Sequence, residues 1–185
     1  MSMTHQITAV WDEQLWKQAE QVYHEAFPEH GRKNRAIVKR MFERKIPVLH
    51  TWHDGSSVVA MAISAIHPNA KVLILDYIAV RQDQRGKGLG RACIRDIRDW
   101  AENEIGCRGI VIEVEAEVTK ENTARIHFWE AVGFRMTDYV HTYIWVPETY
   151  RAMYMSFDNS QQWDDGKQLF TYITDYHERA YTGRG

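Results

Sequence analysis

The stretch Arg85-Gly-Lys-Gly-Leu-Gly-Arg91 sets three cations among three glycines at the start of a predicted amphipathic helix. Glycine lets the backbone come close to a ligand, and the N–H groups of a helix's first turn attract anions. The preceding run, Val72 to Val80, is apolar and β-rich, and it predicts a buried strand. A strand, a glycine turn and a helix in this order predict a pyrophosphate-binding loop. Its expected members are Arg85, Gly86, Lys87, Gly88, Leu89, Gly90 and Arg91.

Other classes of site also use glycine-rich turns. A dinucleotide-binding βαβ unit uses Gly-x-Gly-x-x-Gly and an acidic residue about 20 positions further on, whereas the glycines here are Gly86, Gly88 and Gly90. The Gly-x-x-x-x-Gly-Lys-Ser/Thr motif of a phosphate-binding P-loop does not occur in the sequence. A basic helix start with a glycine turn and no ligand is the structural alternative.

Carboxylates form a second candidate group. Glu113, Glu115 and Glu117 occupy every second position of another predicted strand, so their side chains share one face. Three carboxylates on one face of an interior strand are costly unless that face borders a water-filled groove. We favour such a groove over a solvent-facing strand, because helical crossovers flank the strand on both sides. Asp76, in the strand before the glycine loop, is expected to point into the same groove. Crowded carboxylates raise one another's pKa, which suits a general base near neutral pH; Asp76 and Glu113 are the first candidates, and Glu115 follows.

A second motif is the run Asn-Thr-Ala-Arg-Ile-His-Phe-Trp-Glu-Ala-Val-Gly-Phe from Asn122 to Phe134. Together with Arg85-x-x-Gly-x-Gly, it makes the chain resemble the GNAT superfamily of N-acetyltransferases over roughly residues 72 to 135. In that family the first motif holds the pyrophosphate of acetyl-CoA, and the second has the pattern Asn-x-x-Ala-x-x-Phe-Tyr-Glu-x-x-Gly-Phe. The resemblance implies a GNAT-like three-layer α/β (α+β) fold. Its central sheet is mixed and mostly antiparallel, with a splayed parallel strand pair and helices on both faces.

The resemblance also assigns roles around the cofactor. Acetyl-CoA is expected as the acetyl donor, with its pantetheine arm pairing with the main chain of Ile78, Ala79 and Val80. The Val80 N–H is expected to face the thioester oxygen, and Asn122 to contact the pantetheine. A plain buried strand is the alternative for residues 78–80, and a helix N-cap is the alternative for Asn122.

The sequence departs from the family pattern at Trp129, where many members have Tyr. Because an indole N–H releases no proton at a useful pKa, Trp129 is not expected to protonate the departing thiolate. The candidates for that general acid are Tyr139, Tyr143, His127 and water, and Tyr143 enters the predicted catalytic set because its predicted strand borders the site. No His-x-x-x-His with acidic support occurs, so no metal site is predicted.

The composition bounds the class of protein. The 185 residues, 44 % of them apolar, predict one domain, residues 1–185, with a C-terminal helical extension at about 160–185. A net charge of −2 argues against nucleic acid or an anionic membrane as the main partner, and no apolar run has the roughly 20 residues of a membrane helix. Two cysteines and an N-terminus without a signal-peptide pattern favour a reducing cytoplasm.

Periodicity and turn residues predict the elements that position these groups. The predicted helices are Trp11 to Phe27, Lys33 to Arg44, Leu89 to Glu104, Asn122 to Val132 and a last one after Gly166, with Leu169, Ile173, Tyr176 and Ala180 on one face. The predicted strands are Ile46 to Trp52, Ser57 to Ile66, Val72 to Val80, Gly109 to Glu117, Arg135 to Val146 and Arg151 to Phe157. The last helix is expected either to cap the domain or to form a homodimer contact.

Four functions follow from these features. The leading one is an N-acetyltransferase that moves the acetyl group of acetyl-CoA to a small-molecule or peptide amine in a ternary complex. The others are a non-catalytic acyl-CoA-binding or sensing module, a nucleotide-binding protein, and a structural role in which the C-terminal helix mediates assembly. By resemblance to the family's variable substrate loop, Phe27 to Lys33 is expected to border the acceptor pocket. Its mixed charge is compatible with a polyamine, an aminoglycoside, an amino acid or a protein terminus.

Overall fold

The computed structural model describes residues 3–158 and 163–182. In chain order its main elements are β1 (Thr4–Thr8), α1 (Glu13–Ala26), α2 (Arg35–Glu43), β2 (Pro47–Asp54), β3 (Ser57–His67), β4 (Val72–Val80), α3 (Leu89–Asp99), β5 (Gly109–Glu115), α4 (Lys120–Ala131), β6 (Arg135–Thr142), β7 (Thr149–Ser156) and α5 (Gly166–Thr182). The strands form a mixed sheet in which, among the described residues, β4 and β5 are the one parallel pair. This confirms the predicted mixed, mostly antiparallel sheet.

The helices begin where short polar side chains cap them. Asp12 accepts a hydrogen bond from the Leu15 N–H at 3.0 Å and starts α1. Asn34 accepts one from the Ile37 N–H at 2.9 Å and starts α2. Such caps satisfy one of the orphan N–H groups of a helix's first turn and contribute about 1 kcal/mol each.

The chain divides into two compact units, of which the first comprises Met1–Ile66, Leu75–Ile97 and His177–Gly185. Its strands follow the order β1-β2-β3-β4, with β1–β2 and β2–β3 antiparallel. The apolar faces of α1 and α2 form a core with Leu49 of β2 and Met61 of β3.

Helices cover both faces of the sheet in this first unit. Leu49 lies against α1 and α2, and side chains alternate between the faces of a strand, so Trp52 three positions on lies on the opposite face. There the Trp52 indole N–H donates to the Asp96 carboxylate of α3 at 2.9 Å. Cys93 and Ile97 of α3 are fully buried.

The second unit comprises His67–Ile74 and Arg98–Tyr176, with the strand order β4-β5-β7-β6. The parallel register of β4 and β5 is short, since it runs from Val72, opposite Gly109, to Ile74, opposite Val111. One side of this sheet packs on α5, and the residues in that core are Val72, Val111, Ala152, Trp163, Leu169, Phe170 and Ile173.

Several element boundaries differ from the sequence predictions. Strand β1 is not predicted from the sequence pattern, because this edge strand has only a weak apolar alternation. The predicted Gly109 to Glu117 strand ends at Glu115, and the predicted Arg135 to Val146 strand ends at Thr142. Helix α4 begins at Lys120, two residues before the predicted start at Asn122. The predicted helix from Leu89 changes to π-helical geometry over Trp100–Ile105.

The predicted inner face of the last helix is confirmed, because Leu169, Ile173, Tyr176 and Ala180 are all buried. Both cysteines, Cys93 and Cys107, are buried thiols that form no disulfide. Over residues 3–158 and 163–182, no helix has the length and apolarity needed to cross a membrane.

Candidate active site

The glycine loop lies before the first turn of α3 in the first unit. Gly86 and Gly88 have φ angles of +80° and +78°, in the left-handed region that glycine adopts without strain. A Cβ atom built on either glycine would meet no heavy atom within 4 Å, so this side of the loop faces open space. The Ala92 N–H donates to the Gly88 carbonyl at 3.2 Å and closes the first helical turn. The loop therefore has the geometry and the room of an anion-binding helix start.

Three exposed cations surround this loop. The Arg85 Nε–H donates to the Val80 carbonyl at 3.0 Å and ties the loop to the end of β4. Lys87 Nζ donates to the Gln84 side-chain oxygen at 3.3 Å. Arg91 lies on the exposed side of the first turn of α3. All three side chains are exposed to solvent.

The end of β4 directs backbone groups away from β3. The Arg81 N–H donates to the Val59 carbonyl of β3 at 2.8 Å. Because successive residues of a strand direct their N–H and C=O groups to opposite sides, those of Val80 and Ile78 point away from β3. The side chain of Ala79 lies in the core with α1 and α2.

Asp76 lies in a buried ion pair. Its carboxylate accepts from Lys33 Nζ at 2.8 Å, and the two side chains are only 7 % and 2 % exposed. Nδ1 of His177, in the last turns of α5, lies 3.1 Å from the same Lys33 nitrogen. The rings of Tyr77 and Tyr181 each lie 5.3 Å from that nitrogen. The carboxylate of Asp76 is thus compensated by a cation and shielded from water.

Two phenols complete this Lys33 cluster. The Tyr23 hydroxyl donates to the Lys33 carbonyl at 2.9 Å, and the Lys33 N–H donates to the Tyr77 hydroxyl at 3.1 Å. Burial, and then the negative charge of Asp76, raise the pKa of both Tyr23 and Tyr77 well above the usual value. Both phenols stay protonated at physiological pH and act as hydrogen-bonding groups of the cluster.

Glu113 lies in the second unit beside a tyrosine. The Tyr143 hydroxyl donates to its carboxylate at 2.8 Å. Glu115 pairs with Tyr150 of β7, and Tyr150 pairs with His141 of β6. Paired residues of antiparallel strands share a face, and Glu113 lies two positions from Glu115. One face of the sheet therefore carries the side chains of Glu113, Glu115, Tyr150 and His141. The structure places Glu113 and Tyr143 in direct contact, as a candidate base and acid would be.

Burial and nearby carboxylates shift the pKa values of two side chains on this face, Tyr150 and His141. Burial, and then the charges of Glu113, Glu148 and Glu115, raise the pKa of Tyr150 to about 12. Burial lowers the pKa of His141 although Glu113 acts in the opposite direction. His141 is therefore neutral at physiological pH, and Tyr150 is a protonated phenol.

Asn122 is buried and already hydrogen-bonded. Its Nδ2 donates to the Glu117 carbonyl at 3.0 Å, and its Oδ1 accepts from Arg125 at 2.9 Å. The N-cap of α4 is Thr119, whose hydroxyl accepts from the Asn122 N–H at 3.0 Å. The N-cap alternative for Asn122 is therefore wrong, since the capping residue lies three positions earlier. The second Nδ2 hydrogen is the donor that a ligand could use.

The remaining sequence candidates occupy peripheral positions. The Trp129 ring packs edge-on against Phe134 with centroids 5.1 Å apart, so it is a packing residue of α4. Glu117 lies beyond the end of β5 and is exposed, as is His127. Among residues 3–158 and 163–182, no group of three or more His, Cys, Asp or Glu side chains is arranged to hold a metal ion.

Sequence reasoning missed two sets of residues near the candidates. Lys33, 43 positions before Asp76, contacts its carboxylate, and His177, 101 positions after Asp76, contacts Lys33. The signal for a partner was present, because a carboxylate inside a buried strand requires a compensating cation. Tyr150 and His141 were missed because the register of β5, β7 and β6 places them beside Glu113, and only a correct alignment of three strands reveals it.

The chain resembles a known protein family in sequence and known proteins in fold. A model of the acetyltransferase (GNAT) family matches residues 11–134. A protein from Desulfovibrio desulfuricans described as of the GNAT family has a TM-score of 0.68 and 13 % identity over 84 % of this chain and 99 % of its own. The ribosomal-protein-S18-alanine N-acetyltransferase of Escherichia coli has a TM-score of 0.63 and 19 % identity over 86 % and 97 %.

A Bacillus subtilis acetyltransferase in complex with CoA has a TM-score of 0.60 and 14 % identity over 85 % of this chain and all (100 %) of its own. At these identities the structures show a common fold. No curated protein matches the chain in sequence.

Proposed function

The chain belongs to the GNAT family of acetyltransferases, and from that premise we propose that it is an N-acetyltransferase that moves the acetyl group of acetyl-CoA to an amine by direct transfer in a ternary complex. The main support for this proposal is the loop before α3, with its two left-handed glycines, its open side and its three exposed cations. That combination suits a pyrophosphate, which needs several N–H donors, positive charge and close backbone approach.

The proposed cofactor site uses backbone more than side chains. The N–H groups of the glycine loop and of the first turn of α3 would bind the pyrophosphate, with Arg85, Lys87 and Arg91 adding charge. The backbone groups of Ile78 and Val80 that point away from β3 would pair with the pantetheine, and the buried Asn122 would donate its second amide hydrogen to it. Held at the thioester oxygen, the Val80 N–H would lower the barrier by roughly 3 kcal/mol.

Direct transfer requires a base for the amine and an acid for the thiolate. The amine nitrogen bonds to the acetyl carbon, the carbon–sulfur bond breaks, the nitrogen loses a proton and the sulfur gains one. We propose Glu113 as the group that takes the proton, because its carboxylate is only half-buried and contacts a hydroxyl, whereas Asp76 is compensated by Lys33. Glu115, on the same face, is the second candidate. Asp76 is then a structural carboxylate.

Tyr143 is the proposed general acid. Its hydroxyl donates to Glu113 at 2.8 Å, so a proton that reaches the carboxylate has a direct path to the phenol oxygen as the phenol gives up its own. This pair could replace the family tyrosine whose position Trp129 occupies. The packing of Trp129 on Phe134 is also the observation that favours the alternative function, a non-catalytic acyl-CoA-binding or sensing module.

Turnover separates the two functions. We expect free thiol to be released from acetyl-CoA when, and only when, an acceptor amine is present, with an amine library of polyamines, amino acids, aminoglycosides and peptides as the probe. Binding of acetyl-CoA without thiol release from any of them would instead support the sensing module.

Gly88→Glu and Gly88→Ala form a matched pair for the cofactor site. Both variants carry a similar conformational cost at φ +78°, about 1 kcal/mol, and the Cβ atom of either would meet no heavy atom within 4 Å. Only the glutamate adds negative charge where the pyrophosphate is proposed to bind. We expect Gly88→Glu to abolish CoA binding and Gly88→Ala to keep most of it, with circular dichroism unchanged in both. Equal affinities would contradict the assignment of the loop.

A further inference from the structure

Tyr143 directly follows a strand of the sheet, and aromatic side chains contact its ring. It follows the last residue of β6, Thr142, and opens a loop in which Ile144 is fully exposed and Trp145 is 66 % exposed. The register of β6 with β7 ends at Thr142, opposite Thr149. The Tyr143 hydroxyl reaches Glu113 at hydrogen-bond distance, and the contacts of its ring show what orients it.

A series of rings leads from Tyr143 to the core. The His141 ring meets the Tyr143 ring edge-on, with centroids 4.7 Å apart and an interplanar angle of 76°. On its other side, His141 stacks on Phe170 of α5 at 4.4 Å and 13°. Phe170 is only 1 % exposed, so the series ends in a residue that cannot move without disturbing the core.

The other contacts of this series fix the imidazole. Nδ1 of His141 lies 3.1 Å from the Tyr139 hydroxyl, and the Tyr139 ring itself packs against Phe170 at 5.8 Å. Since His141 is neutral, it presents an uncharged ring to Tyr143 and does not compete for the Glu113 carboxylate as a cation. Two further rings contact Tyr143: Trp145 stacks on it with centroids 5.1 Å apart, and Tyr150 meets it at 5.6 Å.

We infer that His141 and Phe170 are positioning residues, which hold the Tyr143 hydroxyl on Glu113 so that α5 takes part in catalysis. This inference rests on the proposed function, because it gives the Tyr143–Glu113 pair a catalytic role. Helix α5 lies outside residues 11–134, the part that matches the family, so this support is supplied by the chain's own C-terminal element. Small displacements of a reacting group are costly: 1 Å can lower a rate on the order of 100-fold.

The test is a double-mutant cycle between His141 and Tyr143. His141→Leu removes the ring that supports Tyr143, and His141→Phe keeps it. We expect His141→Leu to lower kcat on the order of tenfold, as Tyr143→Phe does, with KM for acetyl-CoA unchanged. The double variant should be no slower than Tyr143→Phe alone, since a positioning residue has nothing left to position. His141→Phe should keep most of kcat.

The control deletes another ring from the same helix. Tyr172 of α5 packs against His67 at 4.9 Å. Tyr172→Leu should leave kcat within about twofold of the wild-type rate. The inference is overturned if the His141→Leu and Tyr143→Phe losses multiply, if His141→Phe is as slow as His141→Leu, or if Tyr172→Leu is equally slow.

A readout without turnover keeps this inference separate from the proposed function. With ring-¹³C-labelled tyrosine, the NMR signal of Tyr143, identified by its loss in Tyr143→Phe, should shift or broaden in His141→Leu and in Phe170→Leu, but not in Tyr172→Leu. An unchanged signal in His141→Leu overturns the positioning role. A wild-type protein that acetylates no amine but shows these shifts refutes the proposed function and leaves the positioning of Tyr143 supported.

Discussion

The buried ion pair of Lys33 and Asp76 gives a sharp prediction about stability. The side chains are 2 % and 7 % exposed and their charged atoms lie 2.8 Å apart, so neither charge is solvated by bulk water. Lys33→Met would leave the Asp76 carboxylate buried without its cation and would remove a contact to His177. Breaking one side of such a pair costs about 3–5 kcal/mol of unfolding free energy. For a chain of 185 residues this corresponds to a fall in Tm of roughly 10 °C.

Two further variants show whether the charge is the cause. Lys33→Met combined with Asp76→Leu removes both charges, and replacing a whole buried pair is close to neutral, so the double variant should recover most of the lost stability. Arg98→Met breaks a surface ion pair in which the Arg98 side chain is 46 % exposed and the Glu102 side chain 39 % exposed. It should lower the unfolding free energy by under about 1 kcal/mol.

Equilibrium urea unfolding followed by tryptophan fluorescence, with calorimetry for Tm, measures all three variants. An unfolding free energy of Lys33→Met within about 1 kcal/mol of the wild-type value would contradict the prediction. A double variant no more stable than Lys33→Met would contradict it too.

Three other predictions follow from the site and the fold. Glu113→Gln should lower kcat more than Asp76→Asn does, and its deficit should shrink as the pH approaches the amine's own pKa of about 10.4, where the acceptor needs no base; a pH-independent deficit would argue against Glu113. Burial, and then the neighbouring His5, lower the pKa of His50 from 6.5 to about 3, so below pH 6.5 the unfolded chain binds a proton that the folded chain does not. Urea unfolding should therefore show about 1–2 kcal/mol less stability at pH 5 than at pH 6.5, and His50→Gln should reduce that difference. Thr119→Ala removes the cap of α4 and should cost about 1 kcal/mol in the same assay, whereas Thr119→Ser should cost little.

The local part of the fold was predictable because its signals lie within a few residues. The predicted strand Val72 to Val80 has the observed bounds, and α3 begins at the predicted Leu89. An apolar run followed by a glycine turn is read from adjacent residues, and the left-handed φ of Gly86 and Gly88 is what those glycines permit. The family resemblance rested on the same short segments, and the match over residues 11–134 confirms it.

The partners of the candidate residues were not predictable, because they come from distant parts of the chain. Asp76 carries the sequence signal of a buried carboxylate, but nothing near it names Lys33 or His177 as the compensating groups. Likewise, the alternation of Glu113 and Glu115 fixes their common face, while the register with Tyr150 depends on how β5 aligns with β7.

Helix capping illustrates a different limit. Asn is a good N-cap and stands at the start of the recognisable motif, so the sequence offers Asn122 as the N-cap of α4. The helix instead begins after Thr119, whose hydroxyl caps the Asn122 N–H. Both residues suit the role by type, and the choice depends on the backbone geometry after β5.

The functional roles of the candidate site residues stay predictions, namely those of Ile78, Val80, Asn122, Glu113, Glu115 and Tyr143.

The central claim is that the glycine loop before α3 binds the pyrophosphate of acetyl-CoA. Calorimetric titration of the purified protein with acetyl-CoA, CoA and NAD, each against the wild type and Gly88→Glu, tests it most directly. We predict that acetyl-CoA and CoA bind the wild type, that NAD does not, and that Gly88→Glu binds none of them. Binding of NAD without CoA, or equal CoA affinity in the wild type and Gly88→Glu, would contradict the account.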